Sequence, residues 1–256
     1  MQLAYVERGS GTVIVLLHGM FGDYLDWAPV IDPLAQQFRI IAVDLPGFGD
    51  SEKPRGEFNA DLFTSELDRF LDTRGVGECV LVGNSFGGQI AMEYTRLHPD
   101  RVKRLALIDS GGFYRYSELE RSLTIARFSD SWLRSINGSA FRQLFEPLFV
   151  TPSAESRAYI EKQAAKSSRA DWAELVRCAT RSIRLHTELC MLDWLGEIAC
   201  PVLLIWGESD QVVDINQARA VLPCFRNARL VTLPCGHVPQ IECPAAVAEA
   251  LRAFAA

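Results

Sequence analysis

The stretch Gly83-Asn84-Ser85-Phe86-Gly87 places a serine between two glycines, each two residues away. The apolar run Cys79-Val80-Leu81-Val82 precedes it, and small and apolar residues at helical spacing follow it, namely Gly88, Ala91, Met92 and Thr95. The first pattern reads as a buried strand and the second as a helix. A chain that passes from strand to helix at one residue must bend sharply. Glycines at −2 and +2 remove the side chains that would collide as the two legs converge. The serine hydroxyl is then expected at the carboxyl edge of a sheet, with the first amides of the new helix turned towards whatever it attacks. That is a nucleophile's setting. The pentapeptide alone would also suit any glycine-rich turn, so the reading depends on partners elsewhere in the chain.

Serine is a poor nucleophile at neutral pH and needs a base within hydrogen-bond reach. The chain offers histidines at 18, 98, 186 and 237. His237 lies in Pro234-Cys235-Gly236-His237-Val238-Pro239, a turn-rich loop after a late strand, and is the expected base. His98, just before Pro99, reads as a helix C-terminal residue, where a cation suits the helix dipole. His18 begins His18-Gly19-Met20-Phe21-Gly22 directly after a buried strand and reads as a residue that holds its own loop. The base must be oriented by a buried carboxylate that fixes its tautomer. Asp210, at the end of Gly207-Glu208-Ser209-Asp210, is the expected acid; Asp109 also ends a strand and is its rival, with Asp214 a lesser candidate. The amides of Phe86 and Met20 are expected to form an oxyanion hole, with Phe21 as the alternative to Met20. Cys235 has no glycine-flanked turn and reads as a buried thiol.

These residues have to be brought to one edge by the elements around them. Strands are expected over 3–8, 12–17, 39–44, 79–84, 102–108, 201–206 and 228–233, and helices over 27–38, 61–74, 86–97, 215–222 and 244–254. Strands alternating with helices predict an α/β class with a mostly parallel central sheet and helices on both faces. From Phe113 to Leu192 the strand rhythm stops and helical patterns take over, broken by Asn137-Gly138, Pro147 and Thr151-Pro152. Residues 113–192 are therefore expected as an inserted helical cap on a core made of 1–112 and 193–256. The cap is rich in aromatics, among them Phe113, Tyr114, Phe128, Trp132, Phe141, Phe145 and Phe149. With Phe21 and Val238, the residues Phe113, Trp132 and Phe145 are expected to wall an apolar pocket; the alternative is that the aromatics glue the cap to the core.

Composition excludes several classes. A net charge of −6 argues against nucleic-acid binding, which would require a basic face. No apolar run approaches the length of a membrane span. The start Met1-Gln2-Leu3-Ala4-Tyr5-Val6-Glu7-Arg8 lacks the basic and apolar regions of a secretion signal. A soluble, cytoplasmic protein is expected. Seven cysteines form no C-x-x-C pair and no metal spacing, so neither metal nor cofactor is expected. Residues 113–192 carry ten Arg and two Lys against seven Glu and two Asp, a basic segment on an otherwise acidic chain. Such a segment could steer an acidic carrier protein or an anionic substrate, or its arginines could simply be paired with neighbouring glutamates.

Taken together, His18-Gly19, Asp44-Leu45-Pro46-Gly47-Phe48-Gly49, Gly83-Asn84-Ser85-Phe86-Gly87-Gly88, Gly207-Glu208-Ser209-Asp210 and Gly236-His237 resemble the α/β-hydrolase superfamily in order and spacing. The resemblance covers nearly the whole chain. It implies the α/β-hydrolase fold and a triad in the order Ser85, Asp210, His237. Within the superfamily the chain is similar to small capped carboxylesterases, including the pimeloyl-carrier methyl ester esterases. It is similar also, around Gly83 to Gly88, to the meta-cleavage-product hydrolases, which cut carbon–carbon bonds. Val238 stands where that second group often carries an aromatic residue, and Met20-Phe21-Gly22 where it carries serine and glycine. A serine rather than an aspartate at position 85 argues against epoxide hydrolases and haloalkane dehalogenases. The family's first antiparallel strand is expected to be missing. The function this implies is a cofactor-free serine hydrolase acting on a small-molecule carboxylic ester, as a monomer or homodimer. Carbon–carbon bond hydrolysis and a non-catalytic ligand-binding role are the alternatives.

Overall fold

The computed structural model describes residues 1–136 and 138–256; Asn137, half of the expected Asn137-Gly138 break, lies outside the described residues. Seven strands form one sheet: β1 (Tyr5–Arg8), β2 (Val13–Leu17), β3 (Arg39–Val43), β4 (Cys79–Asn84), β5 (Val102–Ile108), β6 (Val202–Gly207) and β7 (Ala228–Leu233). Their order across the sheet is β1-β3-β2-β4-β5-β6-β7. All pairs are parallel except β1 with β3, where Tyr5 opposes Val43 and Arg8 opposes Ile40. An antiparallel strand is therefore present at the N-terminus, against the expectation of its loss. The short stretch Tyr5-Val6-Glu7-Arg8 is long enough to pair along β3 at the sheet edge.

Alternation along the strands divides the core into two layers. On β2, Val15 and Leu17 face one side and Ile14 and Leu16 the other, as the two-residue period of a strand requires. The first layer is covered by helices α2 (Ala60–Thr73) and α3 (Phe86–Leu97), through Phe63, Leu67, Phe86 and Ile90. The second is covered by α1 (Ala28–Ala35) and by the C-terminal helix (Pro244–Ala255), through Val30, Leu34, Val247 and Leu251. Both faces being covered, the central strands read as continuous apolar runs, the signature of parallel sheet.

Between β5 and β6 the described residues contain helices but no strand: α4 (Glu118–Arg127), α5 (Asp130–Ser135), α6 (Gly138–Arg142), α7 (Ala154–Ala165) and α8 (Trp172–Glu188). Serines start two of them. The Ser117 and Ser153 hydroxyls accept the amides of Glu120 and Ser156, which cap back onto the serine amides. The two ends of the insertion meet where the Met191 amide donates to the Gly112 carbonyl at 2.8 Å. Polar clasps join it to the body. Lys162 pairs with Asp23 and Asp26, Lys166 with Asp23, and Arg169 with Asp50. Burial pushes the Asp23 carboxyl up, but Lys166 and Lys162 outweigh it and hold its pKa below the ordinary range. Six of the insertion's ten arginines (115, 121, 134, 142, 169 and 177) are paired with carboxylates. Pairs within the insertion leave its net charge unchanged, and its basic excess is offset by the body carboxylates Asp23, Asp26, Asp50 and Asp193. Among the described residues no helix is long and apolar enough to cross a membrane.

A third clasp runs from α3 to α8. The Gln89 amide nitrogen donates to the carbonyls of His186 and Leu189, at 3.1 and 3.0 Å. Its oxygen is thereby left to accept His186 Nδ1–H at 2.6 Å, and the Tyr116 hydroxyl donates to His186 Nε2 at 3.2 Å. Burial, with the nearby His237, pulls the His186 imidazole down to about 4.

A side chain at Gly87 would lie 2.4 Å from the Leu17 carbonyl oxygen and 2.5 Å from that of His18, and backbone cannot step aside. Gly87→Ala is expected to cost about 1–3 kcal/mol, read as a lowered melting temperature, whereas Gly77→Ala, with open space around it, leaves the melting temperature nearly unchanged. His186 is held neutral by the fold, so the unfolded chain binds the extra proton between the ordinary value of 6.5 and about 4. Stability is expected to fall as pH drops through that window, by at most about 3 kcal/mol. In urea unfolding at a series of pH values, His186→Gln should flatten this slope.

Candidate active site

Ser85 ends β4 and caps α3 with φ 53° and ψ −117°, a left-handed conformation that only a densely packed turn can hold. The cross-braces are visible: its amide donates to the Ile108 carbonyl, and its carbonyl accepts from Gly88 and Gly111. From this turn the hydroxyl meets the loop after β7. His237 Nε2 lies 2.9 Å from Ser85 Oγ, and His237 Nδ1 lies 2.8 Å from Asp210 Oδ2. An ionised Asp210 can only accept, so Nδ1 carries the proton and Nε2 accepts from the serine. Burial pushes the Asp210 carboxyl up, but His237, its hydrogen bond and the amides of Val213 and Val212 outweigh it, leaving the pKa below the ordinary carboxylate value.

Asp109 stands in the same cluster, its carboxylate within 4.8 Å of the ligand atoms of Asp210 and His237. Its environment differs in kind. It is fully buried, one oxygen accepts the Gly207 amide at 2.9 Å, and the other has no partner among the described residues. Burial, then the Asp210 charge beside it, raises its pKa well above normal. Two carboxylates this close cannot both ionise cheaply, and the one that touches the imidazole keeps the charge. Asp214 is elsewhere, accepting the Asn216 amide at the start of a helix (Ile215–Val221).

The loop after β2 passes over the serine. A side chain at Gly19 would come within 3.3 Å of Ser85 Cβ, and the Gly22 amide donates to the Gly19 carbonyl at 3.0 Å, closing a turn with Met20 and Phe21 at its centre. Phe21 takes φ 62° in that turn. Among the described residues the amides of Met20, Phe21 and Phe86 have no hydrogen-bond partner. His18 does hold this loop: Leu45 N–H donates to its Nε2 at 3.0 Å, so its Nδ1–H donates to the Gly19 carbonyl at 2.7 Å. The Phe21 carbonyl accepts from Lys166 of the insertion.

Of the expected pocket residues, the structure brings three together. Phe145 and Val238 share one apolar cluster with Phe141, and Phe21 packs on it edge-on, 5.9 Å from Phe141 and 6.1 Å from Phe145 between ring centroids. Phe113 is not with them: it stacks on Trp206 and Phe225 in the body core. Trp132 sits at the surface, 37% exposed, against Phe128. Cys235 is buried, and burial raises its thiol pKa far above normal, so it stays protonated. Sequence reasoning missed the groups that hold the site from behind, Asn84, Lys166 and Glu242. The Asn84 amide donates to the carbonyls of Ile108 and His237. Apart from Gly236, six residues before Glu242, the partners lie from 24 to more than 150 residues away, so no local pattern announces them.

The α/β-hydrolase fold family model matches residues 12–244. The chain is 24% identical to a protein named Lipase 1 from Psychrobacter immobilis, over 99% of this chain and 80% of that one. It is 28% identical to 2-hydroxymuconate semialdehyde hydrolase from a Pseudomonas species, over 92% and 84%. Among solved structures it resembles a thermophilic esterase from Thermogutta terrifontis, with a TM-score of 0.85, 25% identity and coverage of 98% and 92%. With the family model covering nine-tenths of its length, this chain belongs to the α/β-hydrolase fold family.

Proposed function

We propose that this hydrolase cleaves a carboxylic ester of a small molecule through an acyl-enzyme intermediate on Ser85. The observation that carries the reading is the unbroken hydrogen-bond relay from Ser85 Oγ through the His237 ring to Asp210. His237 Nε2 takes the serine proton as Oγ attacks the acyl carbon. Asp210 holds the tautomer and stabilises the imidazolium, and the amides of Phe86 and Met20 stabilise the oxyanion. On collapse the imidazolium protonates the departing alcohol. A water then gives its proton to His237 and attacks the acyl carbon; on collapse the imidazolium returns that proton to Ser85 Oγ as the acid product leaves.

Residues 113–192 act as a cap on the body formed by 1–112 and 193–256, and Phe21, Phe145 and Val238, with Phe141, line the acyl side. The arginine ion pairs leave little free charge to attract an acidic carrier, which favours a free ester over a carrier-bound one. Seven free cysteines suit a reducing, cytoplasmic setting.

A series of p-nitrophenyl esters of graded chain length tests the reading. Turnover of these esters is expected, with Ser85→Ala losing about 10⁶ in kcat and all labelling by a fluorophosphonate probe. Cleavage of a vinylogous diketone acid with no ester turnover would replace the ester reading by carbon–carbon hydrolysis, and silence on both by a binding role. The two acids are separated by amides. Asp210→Asn imposes the wrong tautomer and is expected to cost about 10⁴ in kcat. Asp109→Asn preserves a neutral group that still accepts from Gly207, so its cost should stay within about tenfold, the scale of one neutral hydrogen bond. Steady-state kinetics showing the reverse order would make Asp109 the acid.

A further inference from the structure

His237 is held by more than its ring. Its amide donates to the Leu148 carbonyl of the insertion at 2.8 Å, and its carbonyl accepts from Asn84. The preceding Gly236 has no room for a side chain, since a Cβ would fall 2.3 Å from the same Leu148 oxygen. The insertion backbone therefore runs directly against the loop that carries the imidazole. What holds the two together is one carboxylate. Glu242 ends the short helix Pro239–Glu242 that follows the loop. One of its oxygens accepts the Val150 and Thr151 amides, at 3.1 and 2.9 Å, and the other accepts the Gly236 amide at 2.8 Å. Three backbone donors from two segments converge on one half-buried anion. Bonds of this charge-assisted kind are roughly twice as strong as neutral ones.

The segment so gripped is also the one that bears the aromatics. Phe145 precedes it and touches Phe21, and Phe149 within it packs on Tyr159 at 5.5 Å. Seating of the cap wall and placement of the imidazole are thus mechanically one event. We infer that Glu242 is a positioning residue for His237: by stapling residues 148–151 of the insertion to Gly236, it makes alignment of the base conditional on a seated cap. The inference rests on His237 being the base of the proposed ester hydrolysis.

The test uses the full-length protein and p-nitrophenyl butyrate. Glu242→Gln keeps the side-chain volume but offers only one acceptor oxygen, so it cannot serve both segments, and Val150→Pro removes one insertion-side donor alone. The latter is compatible with the preceding residue, because Phe149 already has φ −120° and ψ 144°. Misplacing a catalytic group by an ångström can cost about 10² in rate. Glu242→Gln is therefore expected to lower kcat by about 10- to 100-fold with KM changed by less than about threefold. Val150→Pro should lower kcat in the same direction by less. Fluorophosphonate labelling of Ser85 should slow in parallel, as it also needs the base. If both variants keep kcat within twofold of wild type while only the melting temperature falls, Glu242 is purely structural and the inference is overturned. A fall in kcat matched by an equal loss of titratable active sites overturns it as well. Failure of the underlying reading is distinguishable: His237→Ala would then retain wild-type turnover, whatever Glu242 does.

Discussion

Ser85 is required to reverse the chain from the buried end of β4 into α3 at a backbone conformation that a serine adopts only under constraint. Relief would come from any outward shift of α3, so the surroundings must forbid one. Gly87 lies too close to the carbonyls of Leu17 and His18, and Gly83 too close to the backbone of Gly87 and Gly88, for any side chain to intervene. Strand, helix and the loop after β2 are thus packed backbone to backbone. The two apolar layers, with Phe86 and Ile90 on one side of the sheet, supply the burial that keeps them there. Local strain at Ser85 is sustained by the whole core rather than by any single bond.

Electrostatics completes what packing begins. Two aspartates, an imidazole and a hydroxyl share a space in which only one negative charge is sustainable, and the arrangement of donors decides where it sits. Asp210 receives Val212 and Val213 amides in addition to the imidazole, while Asp109 receives only Gly207 and is sealed from water. The charge settles on the carboxylate with the more numerous donors. The tautomers of His237 and His18 are set by the same logic, each by a partner that can only accept or only donate.

The insertion is more than a cover. Lys166 holds the carbonyl of Phe21 in the turn beside the serine, Leu148 holds the amide of His237, and Gln89 reaches from α3 to His186. Each edge of the site is in contact with a different part of the insertion. The aromatic cluster around Phe141 and Phe145 closes the space between those contacts.

Much of this was legible in the order of residues. Strand and helix periodicity and the paired glycines around Ser85 mark the architecture and put Ser85, Asp210 and His237 at strand ends, because each is a short-range pattern with one cheap conformation. The strand over 3–8 was legible but its antiparallel pairing along β3 was not, since alternation in four paired residues does not say which neighbour they meet or in which direction. Of the expected pocket residues Phe21, Phe145 and Val238 converge while Phe113 turns into the body against Trp206, and an aromatic side chain looks the same in sequence whether it lines a cavity or fills a core. Between Asp109 and Asp210 both lie at the same sheet edge, and only burial and the direction of individual amides separate them. Glu242 and Lys166 were invisible for a related reason. The Phe21 carbonyl and the Val150, Thr151 and Gly236 amides that they hold are backbone groups, and every residue has the same backbone, so only the folded structure could say which ones they meet.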